Sequence, residues 1–164
     1  NDYMLDTLSE RVVNGAKGKQ ALDLFCGVGF FSLPLARMFG EVLAVDQNSS
    51  AIEDLKSNIR ENKITNCHLF RMEVDTFLRI YRSRLKQIDL IVLDPPRSGL
   101  EKSTMKRLCE LKVPQITYVS CDPSTLARDL SGLHQGGYSI DQLQILDLFP
   151  QSHHLETVVK LNII

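Results

Sequence analysis

Cys121 stands where a predicted strand ends and a helix begins, a position in which a side chain can do chemistry. It follows the strand at 116–120, Ile-Thr-Tyr-Val-Ser, and precedes Asp-Pro-Ser-Thr at 122–125, which opens a helix. The N-terminal end of a helix stabilises a thiolate, the nucleophilic form of cysteine. A free cysteine at an arbitrary place is usually a small buried hydrophobe, but this place favours a nucleophile.

The last loop offers a candidate base. Glu156 enters the final predicted strand between Leu155 and the Val158–Val159 pair, so partial desolvation would strengthen it as a proton acceptor. A salt-bridged surface glutamate is the alternative. His153 and His154 suggest a metal, but adjacent residues of an extended chain point to opposite faces and no third ligand is near, so we expect no metal.

A glycine-rich turn joins a strand to a helix at 21–30, Ala-Leu-Asp-Leu-Phe-Cys-Gly-Val-Gly-Phe. Glycines allow a sharp turn and a close approach to a ligand. The third glycine of the dinucleotide fingerprint is replaced by Ser32, which counts against NAD. Asp23, four residues before Gly27, completes D-x-F-x-G-x-G, which is similar to the first motif of S-adenosylmethionine-dependent methyltransferases. A plain strand-to-helix turn is the alternative.

Two further carboxylates follow predicted strands. Asp46 ends Val-Leu-Ala-Val-Asp at the edge that holds the glycine turn, where it can accept hydrogen bonds from both ribose hydroxyls of an adenosine. The alternative is an N-cap for the helix that starts near Asn48. Glu73 follows the third strand and by analogy lies near the adenine; a solvated surface carboxylate is equally compatible with the sequence.

The loop at 94–99, Asp-Pro-Pro-Arg-Ser-Gly, follows a nearly continuous apolar run. Its prolines stiffen the chain and set the direction of Asp94. D-P-P followed by an aromatic residue is typical of enzymes that methylate amines, in which the aromatic ring stacks on the base. Arg97 stands in that place here, which favours carbon over nitrogen as the acceptor. A rigid surface turn leaves the carboxylate at the strand end unexplained.

Composition indicates one domain without a cationic surface field. The 164 residues are 43% hydrophobic, and 19 Lys and Arg stand against 20 Asp and Glu, so phosphate attraction alone would not hold a nucleic acid. Cys26 lies in the glycine turn, where small size explains it, and Cys67 and Cys109 look structural. With no C-x-x-C pair, signal core or membrane-length apolar run, we expect a cytoplasmic protein.

Short apolar runs alternate with segments of helical period, which predicts βαβ units and a mostly parallel sheet. Strands are predicted near 20–24, 41–46, 67–71, 88–93 and 115–120. Helices are predicted near 30–38, 48–62, 74–84, 102–110 and 122–134, after an initial helix within 1–15. The strand-like segments near 140–148 and 157–163 have no helix between them, which predicts an antiparallel final pair.

These residues together resemble the RNA uracil-C5 methyltransferase family. Its first signature, D-P-P-R-x-G and then Y-x-S-C-N-x-x-T, is matched by residues 94–99 and by Tyr118, Ser120, Cys121 and Thr125. Its second, D-x-F-P-x-[ST]-x-H-x-E, is matched by Asp147, Phe149, Pro150, Ser152, His154 and Glu156. The family's asparagine after the cysteine is Asp122 here, which when ionised accepts but cannot donate hydrogen bonds.

The resemblance implies the class I S-adenosylmethionine-dependent methyltransferase fold, an α/β Rossmann-like fold with a mostly parallel seven-stranded sheet and an antiparallel C-terminal strand pair. It implies that Cys121 adds to C6 of a uridine in tRNA or 23S rRNA and that Glu156 removes the C5 proton. The cofactor residues it implies are Phe25, Gly27, Asp46, Glu73 and Asp94. Because family members also carry N-terminal RNA-binding parts, we expect residues 1–164 to be the catalytic domain of a longer enzyme.

Two other functions stay open. A methyltransferase acting on an amine or a small molecule fits the D-P-P loop and the near-neutral charge, but it leaves Cys121 without a role. A non-catalytic module that only binds the cofactor is the second alternative.

Overall fold

The computed structural model describes residues 2–147 and 155–164 as one sheet flanked by helices. In chain order the elements are α1 (Asp2–Val13), β1 (Gly18–Leu24), α2 (Ser32–Ala36), β2 (Phe39–Asp46), α3 (Ser49–Glu61), β3 (Cys67–Arg71), α4 (Val74–Ile80), a 3-10 turn (Arg84–Gln87), β4 (Leu90–Leu93), α5 (Lys102–Leu111), β5 (Gln115–Ser120), α6 (Pro123–Gln135), β6 (Tyr138–Leu146) and β7 (Glu156–Ile163).

The sheet has the strand order β3-β2-β1-β4-β5-β7-β6. The first five strands are parallel, and β7 runs antiparallel to both β5 and β6. β2 and β3 are added on one side of β1, and β4 and β5 are added on the other side, so the strand order reverses between β3 and β4. The predicted mostly parallel sheet with an antiparallel final pair is therefore confirmed.

Alternate side chains of the central strands pack against helices on the two faces. One face packs against α4, α5 and α6 through a cluster that includes Leu22, Leu43, Ile91 and Tyr118. The other packs against α1 and α2 through a cluster that includes Ala21, Val42, Leu90 and Val119. Burial on both faces explains why these strands are nearly continuous apolar runs.

Most predicted boundaries lie within two residues of the observed ones, and the largest difference is at the end of α4. The strand predicted from 88 begins at Leu90, because the Asp89 carboxylate accepts hydrogen bonds from the N–H groups of Lys19 and Gln20 at 2.6 and 3.1 Å. The helix predicted to 84 ends at Ile80 and is followed by the 3-10 turn. Within the residues that the structure describes, no helix is long and apolar enough to cross a bilayer.

Candidate active site

Six strands bring the predicted site residues to one edge of the sheet. The parallel strands end at this edge, and the antiparallel β7 begins there. In the order of the strands from β3 to β7, the residues are Glu73, Asp46, Phe25 with Gly27, Asp94, Cys121 and Glu156. Residues separated by up to 131 positions in the chain therefore form one row. Ligands of open α/β sheets bind at this kind of edge, where the strand order reverses.

The turn after β1 has an unusual backbone. Phe25, Gly27 and Gly29 have φ angles of 64°, 51° and 91°. The Phe25 N–H donates to the carbonyl of Val45 at 2.9 Å, which ties the turn to β2. A bulky residue at positive φ is an outlier that surrounding structure must hold, and such outliers concentrate at ligand sites. The backbone of this turn is therefore of the kind found at ligand sites.

Asp46 is held by backbone groups on both sides of its carboxylate. The N–H of Gly27 donates to Oδ2 at 2.9 Å, and the N–H of Asn48 donates to Oδ1 at 2.8 Å. The N-cap alternative is wrong, because Asn48 itself caps α3 by accepting from the N–H groups of Ser50 and Ala51. Each oxygen of Asp46 has further acceptor capacity, so the carboxylate is oriented and still able to bind a ligand.

A cavity of about 440 Å³ opens beside this row. Of the predicted cofactor residues, Phe25, Asp46, Glu73 and Asp94 line it, and Gly27 does not. Several lining residues were not predicted; they are Gln47, Asn48, Val74, Asp75, Pro96, Ser98, Gly99, Glu101 and Thr104. Pro96, Ser98 and Gly99 belong to the D-P-P-R-x-G segment that the sequence singled out, whereas the others adjoin a predicted residue or lie near the start of a helix. The cavity has an acidic wall, which suits a positively charged ligand.

Asp94 lies between the cavity and the cysteine. It opens onto the cavity, while the protein on its other sides desolvates the carboxyl and raises its pKa to about 7. The negative charge of Glu156 is the second cause of this rise. Glu156 therefore lies within electrostatic range of Asp94, although the two are 62 positions apart in the chain.

The antiparallel pairing of β5 with β7 brings together the segments that carry Cys121 and Glu156. Ser120 is the register partner of Thr157, so one further step along each chain brings Cys121 beside Glu156. Cys121 is a partly exposed free thiol at the start of α6. The candidate nucleophile and the candidate base therefore occupy neighbouring places at the end of the row.

Asp23 lies behind the glycine turn, with no exposed surface. Ser32, which stands in the place of the missing third glycine, donates its hydroxyl to Asp23 Oδ2 at 2.5 Å. Oδ1 has no hydrogen-bond partner in the described structure. The pKa of Asp23 is raised from 3.8 to about 7, chiefly by burial; the Ser32 hydrogen bond opposes this rise, and the charges of Asp94 and Asp46 add to it.

This shift predicts a pH-dependent stability. The folded protein holds the Asp23 proton more tightly than the unfolded chain, so the stabilisation is full below pH 3.8 and is lost as the pH rises to about 7. We expect the free energy of unfolding to fall between about pH 4 and pH 7, and Asp23→Asn to flatten part of that fall. Urea denaturation at each pH measures it. Identical slopes for the variant and the wild type would contradict the prediction.

The comparisons with known proteins identify the family. The sequence model of the tRNA (Uracil-5-)-methyltransferase family matches residues 1–164. The chain belongs to this family. A TM-score of 0.83 relates this chain to the crystal structure of Pyrococcus abyssi tRNA (uracil-54, C5)-methyltransferase in complex with S-adenosyl-L-homocysteine. The predicted S-adenosylmethionine-dependent methyltransferase fold is therefore confirmed. That structure is 34% identical and covers 98% of this chain and 38% of its own.

Relatives in the tRNA (uracil-5-)-methyltransferase family are similarly close in sequence. The 23S rRNA (uracil(1939)-C(5))-methyltransferase RlmD of Shewanella frigidimarina (strain NCIMB 400) is 38% identical over 159 residues, covering 97% of this chain and 34% of that protein. An RNA methyltransferase of Aquifex aeolicus (strain VF5) is 39% identical over 158 residues, covering 96% and 37%. The chain thus spans just over a third of the length of these relatives.

The departure from the family's first signature has a structural explanation. Asp122 is the N-cap of α6, and its Oδ1 accepts from the N–H and the hydroxyl of Thr125 at 2.8 and 3.0 Å. These bonds hold the pKa of Asp122 below its ordinary value. A cap needs only an acceptor, so an aspartate serves here as well as the family's asparagine.

Part of the second signature lies outside the described residues. Asp147 and Glu156 are described, whereas Phe149, Pro150, Ser152, His153 and His154 are not. In residues 2–147 and 155–164, no group of three His, Cys, Asp or Glu side chains could hold a metal ion.

Proposed function

We propose that the protein transfers the methyl group of S-adenosylmethionine to C5 of a uridine in tRNA or 23S rRNA. The observation that carries this proposal is the single row formed by Asp46, the glycine turn, Asp94, Cys121 and Glu156. Cofactor-binding groups stand at one end of that row and a nucleophile beside a base stands at the other. Membership of the tRNA (uracil-5-)-methyltransferase family supports the same reading.

The residues at the cofactor end fit S-adenosylmethionine. We propose that Asp46, already oriented by two N–H groups, accepts the ribose hydroxyls, and that Glu73 lies at the adenine. Phe25, Gly27 and Asp94 would hold the rest of the molecule. The acidic cavity wall suits a cationic sulfonium and ammonium. When bound, S-adenosylmethionine supplies an electrophilic methyl group.

The residues at the cysteine end of the row can activate C5 of uracil. C5 is a poor nucleophile, so we propose that the Cys121 thiolate first adds to C6, which makes C5 nucleophilic. After methylation, Glu156 removes the C5 proton and the bond between Sγ and C6 breaks, restoring the double bond and the thiolate. The neighbouring places of the two residues on β5 and β7 support this division of roles.

Asp94 stands between the two ends of the row. With its pKa near 7, its carboxyl is partly protonated at neutral pH and can both donate and accept hydrogen bonds. We propose that it contacts the cofactor on the cavity side and the uracil on the other. The target uridine must leave its base stack to reach this place.

We also propose that residues 1–164 are the catalytic domain and that much of the RNA is bound elsewhere in the protein. The net charge of −1 gives these residues no overall attraction for phosphates. The relatives are almost three times as long as this chain.

Replacing Asp46 should weaken cofactor binding selectively. Asp46→Ala removes hydrogen bonds to a charged group, so we expect the dissociation constant of S-adenosylhomocysteine to rise roughly 10- to 100-fold, with a small change in the KM for RNA. Isothermal titration calorimetry measures the affinity. Asp54→Ala, which removes an exposed carboxylate of α3, is the matched control. Equal affinities of the two variants would contradict the assignment of Asp46.

The proposed function has a direct test in RNA. Nucleosides from tRNA and rRNA of a strain lacking the gene are quantified by mass spectrometry, and we expect one 5-methyluridine to disappear. Its position in the RNA identifies the substrate. Returning the wild-type gene should restore it. A strain that retains every 5-methyluridine would contradict the proposed function.

A further inference from the structure

Asp129 is a buried charge that joins three segments of the site. Its side chain in α6 is 2% exposed. The carboxylate accepts hydrogen bonds from the N–H of Leu100 and the hydroxyl of Tyr118, both at 2.7 Å. It also accepts from Nε and Nη2 of Arg128 at 2.9 and 2.8 Å. Four donors satisfy the buried carboxylate, which would otherwise destabilise the fold.

Arg128 extends the same network to the loop after Asp94. Its Nη2 donates to the carbonyl of Ser98 at 2.9 Å. Gly99 lies between Ser98 and Leu100 and has a φ of +72°. A Cβ added to it would lie 2.5 Å from both Arg128 Nη2 and Asp129 Oδ2. A Cβ at this position would therefore displace the ion pair, and the positive φ would strain any other residue, so both observations favour glycine. These two constraints explain the glycine of the D-P-P-R-x-G signature.

The network reaches both sides of the row of site residues. Tyr118 precedes Cys121 by three positions in β5, and α6 begins two positions after Cys121. Ser98 and Leu100 lie four and six positions after Asp94, and Ser98 and Gly99 line the cavity. One ion pair thus ties the loop that carries Asp94 to both segments that flank Cys121.

We infer that Arg128 and Asp129 are positioning residues that hold the loop at 94–100 against the Cys121 segment, and so set the place of Asp94 between cofactor and uracil. The inference rests on the proposed function of this site. Neither side chain contributes a reacting atom. A displacement of this loop by about 1 Å is enough to slow a reaction greatly, because catalysis depends on alignment.

The test compares two arginine variants of the complete protein. Arg128→Met removes the ties to Ser98 and Asp129. Arg82→Met removes the ion pair of Arg82 with Glu110, in which the arginine is about as exposed as Arg128 and the carboxylate is on the surface. Affinity for S-adenosylhomocysteine and the rate of covalent trapping by RNA containing 5-fluorouridine are measured well below the melting temperature, and the melting temperature of each variant is determined separately.

For Arg128→Met we expect roughly tenfold weaker binding and roughly tenfold slower trapping, and for Arg82→Met less than about a twofold change in either. Arg128→Lys keeps the positive charge and one donor nitrogen, so it should fall between Arg128→Met and the wild type. It provides the same comparison if Arg128→Met does not fold. Binding and trapping equal to those of Arg82→Met, with only a lower melting temperature, would reduce the pair to a structural role and overturn the inference.

The same experiment separates the inference from the proposed function. Absence of trapping by the wild-type protein contradicts the proposed chemistry of Cys121. The affinities for S-adenosylhomocysteine then decide the inference by themselves: weaker binding by Arg128→Met than by Arg82→Met supports a role of the pair in holding the loop, and equal binding overturns it.

Discussion

Cys121→Ala is expected to lower methylation of uridine in RNA by roughly 10⁴-fold or more, because C5 is not activated without addition at C6. The variant should also fail to form a complex with RNA containing 5-fluorouridine, in which the C5 proton is replaced by fluorine and the adduct cannot resolve. Transfer of a labelled methyl group and a denaturing gel measure the two effects. Affinity for S-adenosylhomocysteine should change little.

Cys67→Ala is the matched control for this variant. Cys67 is also a partly exposed free cysteine. It is the first residue of β3, so it lies at the opposite end of that strand from the row of site residues. Full activity of Cys67→Ala together with loss of activity in Cys121→Ala supports the assignment. Unchanged turnover by Cys121→Ala would overturn the covalent mechanism and favour an acceptor that needs no nucleophile.

Glu156→Gln is expected to lower turnover by roughly 10²- to 10⁴-fold, because the amide has nearly the same shape but cannot take up the C5 proton. Addition of Cys121 and methylation precede that step, so a methylated covalent complex with ordinary RNA should accumulate. Mass spectrometry of the peptide that contains Cys121 detects this complex. In the wild-type protein, rapid elimination keeps it scarce.

The accumulating complex distinguishes a base from a structural carboxylate. Glu53→Gln removes an exposed carboxylate that pairs with Lys56 on α3, and this variant should turn over normally without a trapped complex. A Glu156→Gln protein that loses turnover and shows no complex would contradict the role of base and indicate an earlier function for this residue. Normal turnover would exclude a catalytic role.

Local sequence determined the elements and the candidate residues. The alternation of short apolar runs with amphipathic segments predicted the parallel sheet, because the period of the apolar residues reflects the local backbone conformation of each element. The lack of a helix between β6 and β7 predicted the antiparallel pair. Motif spacing picked out Asp46, Asp94, Cys121 and Glu156, all of which lie at one sheet edge.

Only the tertiary structure decided which of these residues lie close together. The order of strands places Asp94 between the glycine turn and Cys121, and the register of β5 with β7 places Glu156 beside Cys121. Neither follows from spacing in the chain, because strand order and register are set by packing of the whole sheet.

The same distinction applies to the supporting residues. The sequence left Asp46 as either a ligand group or a helix cap, and the bonds of Asn48 excluded the cap. Arg128 and Asp129 carried no periodic or motif signal, since their partners Ser98 and Leu100 lie about 30 positions away. Cys121 and Glu156 could thus be named from the sequence. Their neighbouring places, and the ion pair inferred to hold the loop of Asp94, depend on contacts between segments that only the folded chain brings together.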